Sequence, residues 1–160
     1  MAIVHARVDE RLIHGQVAMV WTNTVGATRI AVVNDEAVKD EMIISALKIS
    51  KPAGVKLSIL SKKRAVEKFA AGDFDGDKVF LITKTISDMN DLVKNGLTEL
   101  KAVNVGNVAK RDGAVQIKKS VHVTQQDIQD IREMIDAGVK VTAQMVPNES
   151  DQSIINYLPK

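Results

Sequence analysis

Short β-branched runs alternate with longer stretches of helical spacing along the whole chain, and this alternation constrains the fold more than any other feature. Ile3–Val8, Arg29–Val33, Val55–Leu60, Val79–Thr83, Ala102–Val105 and Val139–Val146 read as strands, the last with Val139, Val141, Ala143 and Met145 alternating. Between them, Gly15–Thr24 reads as a helix ending near Gly26. A second helix carries Val38, Met42, Ala46 and Ile49 and stops at Pro52-Ala53-Gly54. Ser61 caps a third, with Val66, Phe69 and Ala70, closed by Gly72. Ser87 opens a fourth, running to Gly96. Thr124 and Asp127 form a capping-box pattern ahead of Ile128, Ile131, Met134 and Ile135, and Gly138 ends that helix. Asp112-Gly113 suggests a hairpin-like excursion between Val108 and Val123, and the tail reads as a short helix through Ile154 and Leu158. The expectation is a doubly wound α/β fold: a mainly parallel central sheet with helices on both faces, with room for an antiparallel edge strand.

In such folds ligands bind beyond the carboxyl ends of the strands, near a switch in strand order. The candidate rim is therefore Asp9 to His14, Asn34, Asp35, Ser61, Thr83 to Thr85, Gly106, Asn107, Pro147 and Asn148.

A chain of 160 residues predicts one domain over 1–160. Twenty-two Lys+Arg against 20 Asp+Glu leave a net charge of +2, too little for a protein that lives on nucleic-acid phosphates or acidic lipid. With no cysteine there is no disulfide framework and no thiol nucleophile, which fits a reducing compartment. No apolar run approaches the ~20 residues that span a bilayer. Met-Ala-Ile-Val-His lacks the basic and apolar regions of a signal peptide, so the expected location is cytoplasmic.

Several familiar devices are missing. The sequence has no GxxxxGK[ST] loop, no GxGxxG after the first strand, no HExxH and no GxSxG. His5, His14 and His122 lack metal-ligand spacing. Neither a nucleotide nor a metal cofactor is expected.

The segment that stands out is Arg7-Val8-Asp9-Glu10-Arg11-Leu12-Ile13-His14-Gly15-Gln16. It sets a histidine where a strand-tip loop enters a helix, with an arginine three residues before it. Imidazole is a good nucleophile near neutral pH. A helix N-terminus offers unpaired N–H groups and partial positive charge, both favourable to phosphate. Arg11 can add a charge-assisted hydrogen bond to phosphoryl oxygens, and Gly15 removes side-chain bulk where a donor must approach. The chemistry this suits is transient phosphorylation of His14. By default, a lone histidine at a helix start is a cap or surface residue, and Arg7 and Arg11 are salt-bridge partners of Asp9 or Glu10. His5 and His122 read as packed or edge residues, Asn107 as a turn residue and Trp21 as core.

The run Arg-Val-Asp-Glu-Arg-Leu-Ile-His-Gly-Gln-Val at residues 7–17 resembles the active-site signature of IIB subunits in the mannose/fructose/sorbose class of the bacterial sugar phosphotransferase system. The likeness continues through Trp21, Asn34-Asp35-Glu36, Pro52 to Ser58, Asn104-Val105-Gly106-Asn107 and Gln144-Met145-Val146-Pro147. One departure is Val108, where many relatives carry a methionine.

The resemblance implies that His14 takes a phosphoryl group on Nδ1 from the phosphohistidine of a IIA domain. It then passes the group to a hexose held by the membrane subunits IIC and IID, through which alone the protein meets the membrane. Mannose, fructose, sorbose and amino sugars all fit. Arg11 is expected to matter most for the onward step, Arg7 for phosphate or partner contact, Asp9 for orienting the arginines, and Gln16 for a polar contact near the phosphate. No cofactor is implied beyond the covalent phosphohistidine. Two rivals are disfavoured. Phosphohistidine phosphatases and mutases show Arg-His-Gly where this chain has Ile13-His14-Gly15, and a receiver module needs an aspartate where the third strand ends at Leu60-Ser61.

Overall fold

The computed structural model describes residues 2–147 and 153–158. Six strands form one parallel sheet: β1 (Ile3–Asp9), β2 (Arg29–Val33), β3 (Lys56–Leu60), β4 (Val79–Thr83), β5 (Ala102–Asn107) and β8 (Lys140–Ala143). Their order is β3-β2-β4-β1-β5-β8, every neighbouring pair parallel. Helices α1 (Gly15–Val25) and α2 (Glu41–Ser50) contribute Ala18, Trp21 and Leu47 to one apolar layer with Ile30, Val32, Phe80 and Ile82. Helices α3 (Lys62–Ala70), α4 (Ile86–Lys94) and α5 (Gln125–Asp136) pack on the opposite layer with Ala31, Val33, Val79 and Leu81. Successive residues of β2 and β4 thus enter opposite layers, which is why both strands read as unbroken apolar runs. The doubly wound fold expected from the sequence is the one observed.

The antiparallel pairing lies elsewhere than at the sheet edge. β6 (Val115–Lys118) and β7 (Val121–Val123) form a separate two-stranded hairpin, and among the described residues β8 adds one isolated antiparallel bridge, Thr142 to Ser153, to its parallel pairing with β5. Asp112-Gly113 turns the chain into this hairpin rather than closing it. The tail carries a short 3-10 turn, Ile154–Tyr157.

Three local expectations change. The second helical stretch is split: a 3-10 turn over Ala37–Lys39 ends at Asp40, whose carboxylate caps α2 by accepting from the amides of Met42 and Ile43. This cap resets the helical register. Leu47 faces the core, whereas Met42 and Ile49 are 83% and 85% exposed. Thr85 rather than Ser87 caps α4, accepting from the Asp88 amide at 2.9 Å. β8 ends at Ala143, so Met145 leaves the sheet. The capping box at Thr124 and Asp127, and Gly26 in the left-handed conformation after α1, match the expectation.

The chain leaves β1 toward β2 on one side and later crosses to β5 on the other. The helix after β1 covers one face and those after β4 and β5 cover the other, so the switch in winding opens a crevice beside the tip of β1.

Candidate functional site

At the tip of β1 the pairing with β5 slips between Val8 and Asp9, bringing Asp9 opposite Asn107. The Glu10 amide donates to the Asn107 carbonyl at 3.0 Å, and the Glu10 carboxylate accepts from the Ala109 amide. The loop then folds back: Asp9 accepts the Leu12 amide on its carbonyl at 2.8 Å and the Arg11 amide on Oδ1 at 3.0 Å. Leu12 is held at φ 62°, a left-handed conformation that disfavours leucine by roughly 1–2 kcal/mol. Burial of its side chain, 6% exposed against the α1 layer, offsets that cost.

His14 is the N-cap of α1, extended at φ −134° and ψ 105°, with no capping hydrogen bond from its side chain. Its imidazole is exposed and makes no hydrogen bond or ion pair among the described residues. Gly15 has φ 49°, and no atom lies within 4 Å of where a Cβ would sit. Glycine here therefore serves backbone conformation, not relief of crowding within the chain. The first closed backbone bond of the helix runs from the Ala18 amide to the His14 carbonyl at 3.4 Å. Gly15, Gln16 and Val17 contribute the free donors of the helix start, the first turn has no acidic residue, and the Gln16 side chain is exposed beside them.

The neighbouring cations form a ladder. Arg11 donates through Nε to Asp9 Oδ1 and through Nη2 to Asp9 Oδ2, each at 3.0 Å. Asp9 is 2% exposed, while the Arg11 side chain is 29% exposed. Arg7 lies behind them, also 2% exposed. Its Nη2 meets Asp9 Oδ2 at 3.4 Å, and its Nη1 donates to the Gln144 carbonyl at 2.8 Å. Arg7 is thus buried in this chain, with Asp9 between it and the more exposed Arg11 guanidinium. The Met145 sulfur touches both guanidinium groups, at 3.7 Å from Arg7 and 3.9 Å from Arg11.

Beneath the ladder His5 stacks on Trp21, ring centroids 4.2 Å apart and 12° from parallel, with Arg7 5.5 Å from the Trp21 ring. Burial, reinforced by the Arg7 charge, lowers the His5 pKa to about 4. His5 and Trp21 are packed, as their sequence context suggests. His122 is half-buried, with Nδ1 3.2 Å from the Val108 carbonyl.

Other rim residues serve structure. Asn34 bridges Asp88 and the amides of Glu36 and Ala37, Asp35 caps the Lys62 amide, and Ser61 and Thr85 cap helices. Thr83 bonds the Thr85 carbonyl. Lys84 shares a cleft of about 220 Å³ with Arg11, Leu12 and Ile13, whereas Asn107 faces a second pocket of about 470 Å³ with Lys119, Gln144 and Met145. Asn148 lies outside the described residues. The contacts of Gln144 and Met145 with the arginines carry no sequence signal beyond the motif containing them. Gly106 had one: glycine inside a strand marks close approach by another group. A Cβ there would fall 2.0 Å from Arg7 Cζ.

The fold is thus a parallel doubly wound α/β domain with an open histidine and a cationic ladder at its switch point. Residues 3–160 match the profile of the PTS system sorbose subfamily IIB component. The chain is 34% identical over 158 residues to the fructose-specific EIIB component of Bacillus subtilis, covering 99% of this chain and 96% of that protein. It is 30% identical over 160 residues to the mannose-specific EIIAB component of Escherichia coli, covering all of this chain and 49% of that protein. The crystal structure of the IIBSor domain of the Klebsiella pneumoniae sorbose permease superposes with a TM-score of 0.93 at 33% identity, covering 98% of this chain and 96% of that one. The chain belongs to the sorbose-subfamily IIB components of the sugar phosphotransferase system. It is thus a sugar phosphotransferase component that works in phosphoryl transfer during sugar uptake. Among the described residues no helix is long and apolar enough to cross a membrane.

Proposed function

We propose that His14 is the residue that carries the phosphoryl group. The imidazole Nδ1 attacks the phosphorus of a IIA phosphohistidine; the new N–P bond forms as the donor N–P bond breaks. In the second half-reaction a hydroxyl of a hexose presented by IIC and IID attacks that phosphorus. The O–P bond forms, the His14 N–P bond breaks, and the hydroxyl proton passes to a base on the acceptor side or to solvent. The protein works in the cytoplasm and meets the membrane through IIC and IID. Phosphoryl transfer of this kind asks the protein mainly for positioning and charge stabilisation.

The observation that carries this reading is the exposed His14 ring at the N-terminus of α1, three residues from a guanidinium fixed by two hydrogen bonds to Asp9. The open amides of Gly15, Gln16 and Val17 and the positive end of the helix favour a phosphate there. Arg11 keeps partial exposure, so its remaining N–H groups can meet equatorial oxygens in the transition state. Asp9 orients Arg11, and Arg7 acts through Asp9. Gln16 offers a polar contact beside the phosphate. Incubation with phosphorylated IIA tests the assignment: His14→Ala is expected to take up no phosphate, and acid-labile label retained at His5 or His122 would overturn it.

A further inference from the structure

Trp21, Gly106 and the Gln144-Met145 pair are far apart in sequence and have no part in the phosphoryl chemistry, yet all three converge on Arg7. Trp21 is 4% exposed, and its indole Nε1 donates to the Met145 carbonyl at 3.0 Å. The same two-residue strap holds the ladder from behind, with the Gln144 carbonyl on Arg7 Nη1 at 2.8 Å and the Met145 sulfur against both guanidinium groups. Gln144 is itself fixed to β5: its amide donates to Asn104 Oδ1 at 2.8 Å, and its carbonyl also accepts from Asn104 Nδ2 at 3.1 Å. Gly106 on the same strand leaves the space that the Arg7 guanidinium fills.

We infer that the Trp21–Met145 hydrogen bond is a latch that sets the distance between the reacting histidine and Arg11. His14 is the N-cap of α1, and Trp21 lies on the same helix, seven residues further along. The indole thus ties the helix that presents His14 to the strap that fixes Arg7, and Arg7 in turn fixes Asp9 and Arg11. Without the latch, α1 loses a hydrogen bond to the strap, and Arg11 can drift relative to the phosphorus. A small misplacement of a stabilising group is costly in a reaction governed by positioning. Trp21 and Gly106 are positioning residues: neither touches the phosphoryl group.

The inference rests on the role proposed for His14, and its test separates the two. Trp21→Phe keeps a ring against His5 and removes the donor together with part of the indole volume. It is expected to leave phosphate uptake from IIA within about 2-fold of wild type and to lower onward transfer to sugar about 5-fold, the scale of one hydrogen bond. Gly106→Ala, which forces Arg7 to move, is expected to give the same split with a larger onward loss. A ground-state readout stands apart from the phosphoryl role: the Nε–H resonances of Arg7 and Arg11 are expected to shift and broaden in Trp21→Phe. Unchanged arginine resonances, or equal losses in both half-reactions, overturn the latch. Shifted resonances in a protein phosphorylated elsewhere than His14 preserve the latch and overturn the histidine assignment.

Discussion

Asp9 grips the Arg11 guanidinium with both carboxylate oxygens at 3.0 Å while its own side chain is only 2% exposed. Both oxygens are thus engaged by cations, since Oδ2 also meets Arg7 at 3.4 Å. One buried carboxylate between two guanidinium groups leaves the array a net positive charge, and the exposed end of that charge is Arg11.

Replacing the carboxylate removes the centre of the array. Asp9→Asn leaves the buried Arg7 with no charged partner from Asp9, and breaking a buried pair in this way costs about 3 kcal/mol. Urea unfolding is the measurement; a loss of less than about 1 kcal/mol would show that Gln144 and solvent suffice to hold Arg7.

Arg11→Gln keeps a polar group but loses the fork. Onward transfer to sugar is expected to fall about 100-fold, as when a transition-state donor is removed, with uptake from IIA much less affected. The half-reactions are measured separately, and equal loss in both would end this division of labour.

His5 gives a pH dependence with a definite sign. The folded ring titrates near 4 and the unfolded chain near 6.5. Above 6.5 both are neutral and the His5 contribution is fully present. As pH falls through 6.5 the unfolded chain binds the proton first, and stability is lost down to about pH 4, with a slope of up to about 1.4 kcal/mol per pH unit. The wild-type protein is therefore expected to lose more stability than His5→Phe between pH 7 and pH 5. Parallel unfolding curves for the two would exclude this role.

The face of α2 can be checked by a matched pair. Leu47→Ala is expected to cost about 3 kcal/mol because it empties a core position, whereas Ile49→Ser is expected to cost less than about 0.5 kcal/mol. Thermal melts of the two variants distinguish the observed register from one that buries Ile49.

Most of this architecture is legible in the residues. β2 and β4 appear within their observed limits because both faces are covered and the runs are unbroken, and Gly26 and Thr124 mark helix ends by chemistry that needs no tertiary partner. The exposed His14 at a helix start is legible for the same reason. The face of α2 was not, because Asp40 starts a fresh helix after a 3-10 turn and a continuous count from Val38 runs out of phase. Arg7 looks like any charged strand residue; only the order β1-β5-β8 shows that Gly106 and Gln144 enclose it. Met145 continued an alternation that the sheet does not, since its partners lie on α1 and the β1 loop.

Because all six strands run the same way, the two ends of β1 lie on opposite rims. Ala2, its amide bonded to Glu99 at 2.7 Å, marks the far one. Seven strand residues at about 3.3 Å each separate that rim from the loop leading to His14 by roughly 23 Å. A domain joined ahead of β1 would have to span that height with its tether and its own body together to reach the ring.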